Sequence, residues 1–204
     1  MNAFGPDHWN DRFRPEEPAY GRDPSLFLVE HGVAIGRGAS VLVPADGEGR
    51  NGLWLARRGA RVTCVDFAEV GLAKVQAVAD GEGLSLTTIC ADLKEWDWPV
   101  GVYDAVVAVY FHLETDVRAR LHGKMVEALR PGGVMMLEAF HRDQFGLGSG
   151  GPRDPGMMFT EEMLRADFSG LERLAVRRDE VVLEEGRLHR GPAVLIRMIG
   201  FRRG

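Results

Sequence analysis

A chain of 204 residues, 45% of them hydrophobic, can bury one core, and its length predicts a single domain over 1–204. A net charge of −5 argues against a basic face for nucleic acid. No apolar run approaches the about 18 residues of a membrane span, and the polar, aromatic stretch 1–14 has no apolar centre of the kind that secretion signals carry.

The first 35 residues scatter aromatics (Trp9, Phe13, Tyr20, Phe27) among prolines and charges, with a short helix expected over Pro24–His31. From Ala39 onward apolar strands alternate with amphipathic helices, the pattern of a parallel sheet. Strands are expected over 39–45, 61–66, 84–90 and 104–110, with helices over 50–58, 69–80 and 115–129. Val70, Ala73, Lys74 and Ala77 mark the expected inner face of the second of these helices, with Gly81 past its end. The third carries Val117, Leu121, Met125 and Leu129 on one face and halts at Arg130-Pro131-Gly132-Gly133, before a fifth strand over 134–139. Residues 141–159 form a Gly- and Pro-rich loop, long enough to imply a functional role. A helix over 160–168, capped by Thr160, precedes alternating runs over 173–184 and 188–201 that read as an antiparallel hairpin. The whole predicts an α/β fold, a doubly wound, mostly parallel sheet of Rossmann-like type closed by that hairpin and flanked by helices. Residues 1–35 form a covering segment and 36–204 the core. Cys64 and Cys90 fall inside predicted strands and are expected to be reduced core residues of a cytoplasmic protein.

The chemistry concentrates after the first strand. Gly47-x-Gly49-x-x-Gly52 has the spacing of a dinucleotide fingerprint, and Asp66 ends the next strand where a ribose-binding carboxylate belongs. A diphosphate, however, wants bare backbone amides, and Asp46 and Glu48 flank the first glycine. A carboxylate about 4 Å from a phosphate repels it by about 4 kcal/mol at an effective dielectric of about 20. The acidic turn instead suits a ligand with an ammonium and a sulfonium, S-adenosylmethionine (SAM). A nicotinamide-dependent oxidoreductase, from the literal glycine spacing, is one alternative; a SAM-binding module without catalysis is the other.

Four pieces carry a family resemblance: Trp9-x-x-Arg12-Phe13 with Tyr20-Gly21, then Gly47-Glu48-Gly49-Arg50-Asn51, then Leu129-Arg130-Pro131-Gly132-Gly133, and Leu188-His189-Arg190. On these the chain resembles class I SAM-dependent methyltransferases, and within them the bacterial tellurite-resistance-type and thiopurine-like enzymes. One stretch departs from the pattern: Val43-Pro44-Ala45 replaces the usual Asp-x-Gly, so Ala45 is strained if its φ is positive.

The resemblance implies SAM as cofactor and a small-molecule methyl acceptor, either a thiol or a tellurium or selenium oxyanion. Ala45, Asp46, Gly47, Gly49, Arg50 and Asn51 would form the turn at the methionyl part. Asp66 would take the ribose hydroxyls, with Phe67, Asp92 and Leu93 about the adenine. Trp9, Arg12 and Tyr20 would form a lid, and Tyr110 and Phe111 border the cofactor at the end of strand four. His112 and His189 are the candidate bases; Arg190 and Arg197 are the candidate cations for an anionic acceptor. His141 ends strand five at the same edge of the sheet. No histidine or cysteine pair has metal-ligand spacing, so no metal is expected. Neither nucleic acid nor membrane is expected as a partner, and the oligomeric state is not legible.

Overall fold

The computed structural model describes residues 5–204. Its centre is a seven-stranded sheet in the order β3-β2-β1-β4-β5-β7-β6. The strands are β1 (Ser40–Pro44), β2 (Arg61–Asp66), β3 (Leu86–Cys90), β4 (Tyr103–Val109), β5 (Leu129–Phe140), β6 (Leu171–Glu185) and β7 (His189–Arg202). The first five run parallel; β7 pairs antiparallel with both β5 and β6. Six helices accompany them: α1 (Pro6–Phe13), α2 (Leu26–His31), α3 (Arg50–Arg57), α4 (Glu69–Glu82), α5 (Thr115–Ala128) and α6 (Glu161–Asp167).

The two-residue period of the strands divides the core in two. Leu42, Val106, Ala108, Met135 and Leu137 join α5 and α6 residues in one apolar cluster. Their neighbours Val41, Val43, Ala105, Val107 and Met136 join α2, α3 and α4 residues in the other. Strand order reverses between β1 and β4, which opens a crevice beyond their carboxyl ends.

Several expectations need correction. The segment Pro6–Phe13 is a helix that its short, polar sequence does not announce; Phe13 is buried where a side chain at Gly47 or Gly71 would collide with its ring. In α4 the buried face is Gly71, Leu72, Val75 and Ala79, whereas Ala73 and Ala77 are exposed. Gly81 lies inside that helix, and Gly83 at φ 64° ends it. The Pro-Gly-Gly turn lies within β5, as a register shift against β4 between Tyr103 and Ala105. Cys64 is buried, but Cys90 sits exposed at the tip of β3; both thiols are free. Among the described residues no helix is long and apolar enough to cross a membrane.

Candidate active site

The crevice contains a cavity of about 400 Å³, within the range of small-molecule sites. Its floor is the turn after β1. Ala45, Gly47 and Gly49 have φ of 55°, 57° and 80°. The alanine therefore occupies the left-handed region that glycine holds without strain. Gly49 caps α3 and packs on Val75, and is not part of the cavity wall.

The two carboxylates of this turn do something other than the charge argument proposes. Asp46 accepts from Gly52 N at 2.8 Å and from Asn51 Nδ2 at 3.3 Å, so it anchors the first turn of α3. Burial pushes its pKa up to about 6, against the pull of those donors. Glu48 pairs with Lys74 at 2.7 Å and accepts from Ala19 N at 2.7 Å, binding the N-terminal segment to the core. Both residues border the cavity, but their oxygens are engaged within the protein.

Asp66 accepts from Gly47 N at 2.9 Å and Ala68 N at 2.8 Å, one per oxygen, which leaves lone pairs for further donors. Burial raises its pKa, and the backbone amides oppose the rise. Phe67, Asp92 and Leu93 line the same end.

The opposite end is aromatic. His189 lies between Tyr20, Tyr110 and Phe140, with ring centroids at 4.5, 4.6 and 5.2 Å. Its Nδ1 bonds Glu185 Oε2 at 3.2 Å, and Glu185 also pairs with Arg50 at 3.0 Å. His189 Nε2 lies against Gly150 and has no hydrogen bond among the described residues. Burial lowers the pKa of this imidazole more than Glu185 raises it, so the ring is neutral at pH 7 with Nε2 as its basic site. Arg12 lies over Trp9 and donates to the Tyr20 hydroxyl at 2.8 Å. At the crossing of the N-terminal segment and the hairpin, a side chain at Gly186 would strike the backbone of Ala19–Gly21.

Trp9, Arg12, Tyr20, Ala45, Asp46, Gly47, Arg50, Asn51, Asp66, Phe67, Asp92, Leu93, Tyr110, Phe111, His112 and His189 thus meet around one cavity. His112, however, has both nitrogens engaged: Nδ1 donates to Met157 O at 2.9 Å, and Nε2 accepts from Phe140 N at 3.3 Å. Burial lowers its pKa to about 4, and no lone pair is left for a substrate proton. Arg190 and Arg197 do not line the cavity. Arg190 follows His189 by one residue and so faces the other side of the strand. Arg197 lies eight residues beyond His189 along β7, bound to Glu138 at 2.6 Å and Asp179 at 2.9 Å. His141 is held by Glu161 at 3.0 Å outside the wall.

Glu185, Phe140 and the Gly150-Gly151-Pro152 wall escape motif reading. The long Gly-rich loop announces the last of these. Glu185, four residues before His189 across a hairpin turn, is a signal that pairing alone makes visible.

Residues 41–133 match the family model for a methyltransferase domain. No curated protein matches the chain. Among solved structures, one described under the conversion of a disulfide bond into a thioacetal group during echinomycin biosynthesis has a TM-score of 0.75 at 18% identity, over 97% of this chain and 91% of that one. TehB from Haemophilus influenzae gives 0.75 at 19% identity, over 97% and 67%. A SAM-dependent methyltransferase from Methanosarcina mazei gives 0.70 at 18% identity, over 89% and 99%. Residues 41–133 thus match a methyltransferase domain, and the fold is the one shared with the SAM-dependent methyltransferase from Methanosarcina mazei. SAM is the cofactor of that class, and Asp66, the left-handed turn and Phe67 form a cradle suited to its ribose and adenine.

Proposed function

We propose that the protein methylates a small acceptor through a soft nucleophilic atom, a thiol first, with selenium and tellurium oxyanions as the other members of the class. The observation that carries this reading is the cavity end formed by His189, Tyr20, Tyr110 and Phe140, which has room for a small molecule and a single oriented base. When bound, SAM supplies an electrophilic methyl group on a sulfonium. The protein does the rest by placement, which for oriented reactants is worth effective molarities of about 10⁵–10⁸ M. His189 Nε2 takes the acceptor's proton, and Glu185 holds the ring through Nδ1–H. Trp9, Arg12 and Tyr20 cover the site and exclude water. Arg12 is the cavity cation with no carboxylate partner among the described residues, since Arg50 pairs with Glu185 and Lys94 with Glu114 at 2.6 Å. It takes the place of Arg190 and Arg197 as the group that would meet an anionic acceptor. With both thiols free, we infer a reducing compartment, the cytoplasm, as its place of action.

The test is incubation with SAM and a panel of 2-mercaptoethanol, benzenethiol, selenite and tellurite, with methylated products read by mass spectrometry. Methylated thiol is the expected product. Absence of product across the panel, with SAM shown by calorimetry to bind, overturns this assignment.

A further inference from the structure

Arg50 is the first residue of α3 and follows Gly49, whose left-handed backbone ends the cofactor turn. The helix dipole disfavours a cation at this end, and the first turn of α3 carries no acidic residue to offset it. The Arg50 side chain is nevertheless only 8% exposed, so what holds it must come from elsewhere in the fold. Its Nη2 donates to Glu185 Oε2 at 3.0 Å, and its Nη1 reaches Tyr20 O and Asp23 O at 3.4 and 3.3 Å. The Glu185 oxygen it binds is the same one that receives His189 Nδ1 at 3.2 Å. One planar guanidinium thus joins the start of the cofactor helix, the N-terminal segment and the carboxylate that orients the base.

We propose that Arg50 is a positioning residue for methyl transfer: by sharing the Glu185 oxygen with His189, it holds the imidazole in its role as base and fixes that base relative to the cofactor turn. This rests on the methyl-transfer reading and deepens it. The groups facing His189 are Glu185 from β6, Arg50 from α3, Arg12 from α1, Tyr20 from the N-terminal segment, and Tyr110 and His112 after β4. Glu185 in turn faces Tyr110 and Glu138. Burial lowers the pKa of His189, Glu185 raises it, and Arg50 and Arg12 lower it again. Without Arg50, the imidazole feels a carboxylate whose charge nothing else offsets at that oxygen. The Glu185–His189 pair then takes up its proton at higher pH, and Nε2 is filled before it can accept the acceptor's proton.

The experiment measures kcat/KM for 2-mercaptoethanol against pH in the parent, in Arg50→Lys, which keeps the charge, and in Arg50→Gln, which removes it. The ionisation of the thiol itself is common to all three, so only differences between the curves count. The acid limb is expected about one pH unit higher in Arg50→Gln than in the parent, and close to the parent's in Arg50→Lys. A slower Arg50→Gln enzyme with an unmoved limb shows a packing role alone and overturns the proposal. A limb that moves as far in Arg50→Lys as in Arg50→Gln overturns it too. If Arg50→Gln does not fold, Arg50→Met, also neutral, takes its place with the same expectation. A second measurement needs no turnover: nitrogen NMR titration of the S-adenosylhomocysteine complex, with His189 identified by its absence from the His189→Ala spectrum. Its midpoint should rise in the neutral variant by the same amount as the limb, and an unmoved midpoint overturns the proposal. A parent inactive with every member of the thiol and oxyanion panel overturns the methyl-transfer reading, and the imidazole titration still decides what Arg50 does to His189.

Discussion

The two ends of the cavity are held together in different ways. At the Asp66 end the contacts are close in sequence: Asp66 meets Ala68 two residues on and Gly47 nineteen back, and Asp46 meets Gly52 six on. At the His189 end they are remote, with Arg50 and Glu185 separated by 135 residues and Ser25 and Glu138 by 113. Closing long loops costs more chain entropy than closing short ones. The hydrogen bonds of the first end belong to one β-turn-α unit, braced from outside by Phe13 and Ala19. The second exists only once the N-terminal segment and the closing hairpin have met over the sheet. Perturbing the His189 end should therefore leave cofactor binding intact, while the reverse need not hold.

The largest expected effect tests that separation directly. His189→Ala should lower kcat about 10²- to 10⁴-fold with SAM affinity unchanged by calorimetry, whereas Arg190→Ala, outside the cavity, should match the parent rate. Glu185→Ala leaves the buried Arg50 guanidinium unpaired and should lower stability by about 3–5 kcal/mol in urea denaturation. Gly186→Ala forces a side chain into the crossing at φ 62° and should cost about 1–3 kcal/mol. Hydrogen exchange in that variant should rise over 5–24 and the hairpin, with β1 to β4 unchanged; uniform exchange would erase the distinction between the two ends. Acidification sharpens it further. The folded-state pKa of His112, about 4 against an ordinary 6.5, means its stabilising contribution is complete above 6.5 and lost as pH falls toward 4. His112→Asn should accordingly lose less stability than the parent between pH 7 and pH 5. The smallest effect is a gain: Ala45→Gly relieves a left-handed alanine and should stabilise by about 1 kcal/mol, read as a raised Tm.

The same division governs what the sequence reveals. The glycine turn, Asp66 and the alternation of strands and helices are legible because local spacing determines them. Asp46 and Glu48, whose charges point to the cofactor class in the sequence, have their oxygens bound within the protein: Asp46 anchors α3 and Glu48 ties Ala19 and Lys74. His189 is visible as a strand-end histidine, but Glu185 gains meaning only from hairpin register. His112 looks like a base in a linear reading; it is a cross-brace between Met157 and Phe140. Arg197 likewise serves Glu138, whose other oxygen receives the Ser25 hydroxyl that caps α2.

The crossing of Ala19–Gly21 over Gly186 ties the N-terminal segment to the hairpin. Two stretches from opposite extremities of the polypeptide form a seam above the reaction chamber, with no space between their main chains for so much as a methyl group. A displacement of either stretch is therefore transmitted to the other, so the two covers of the chamber act as one unit.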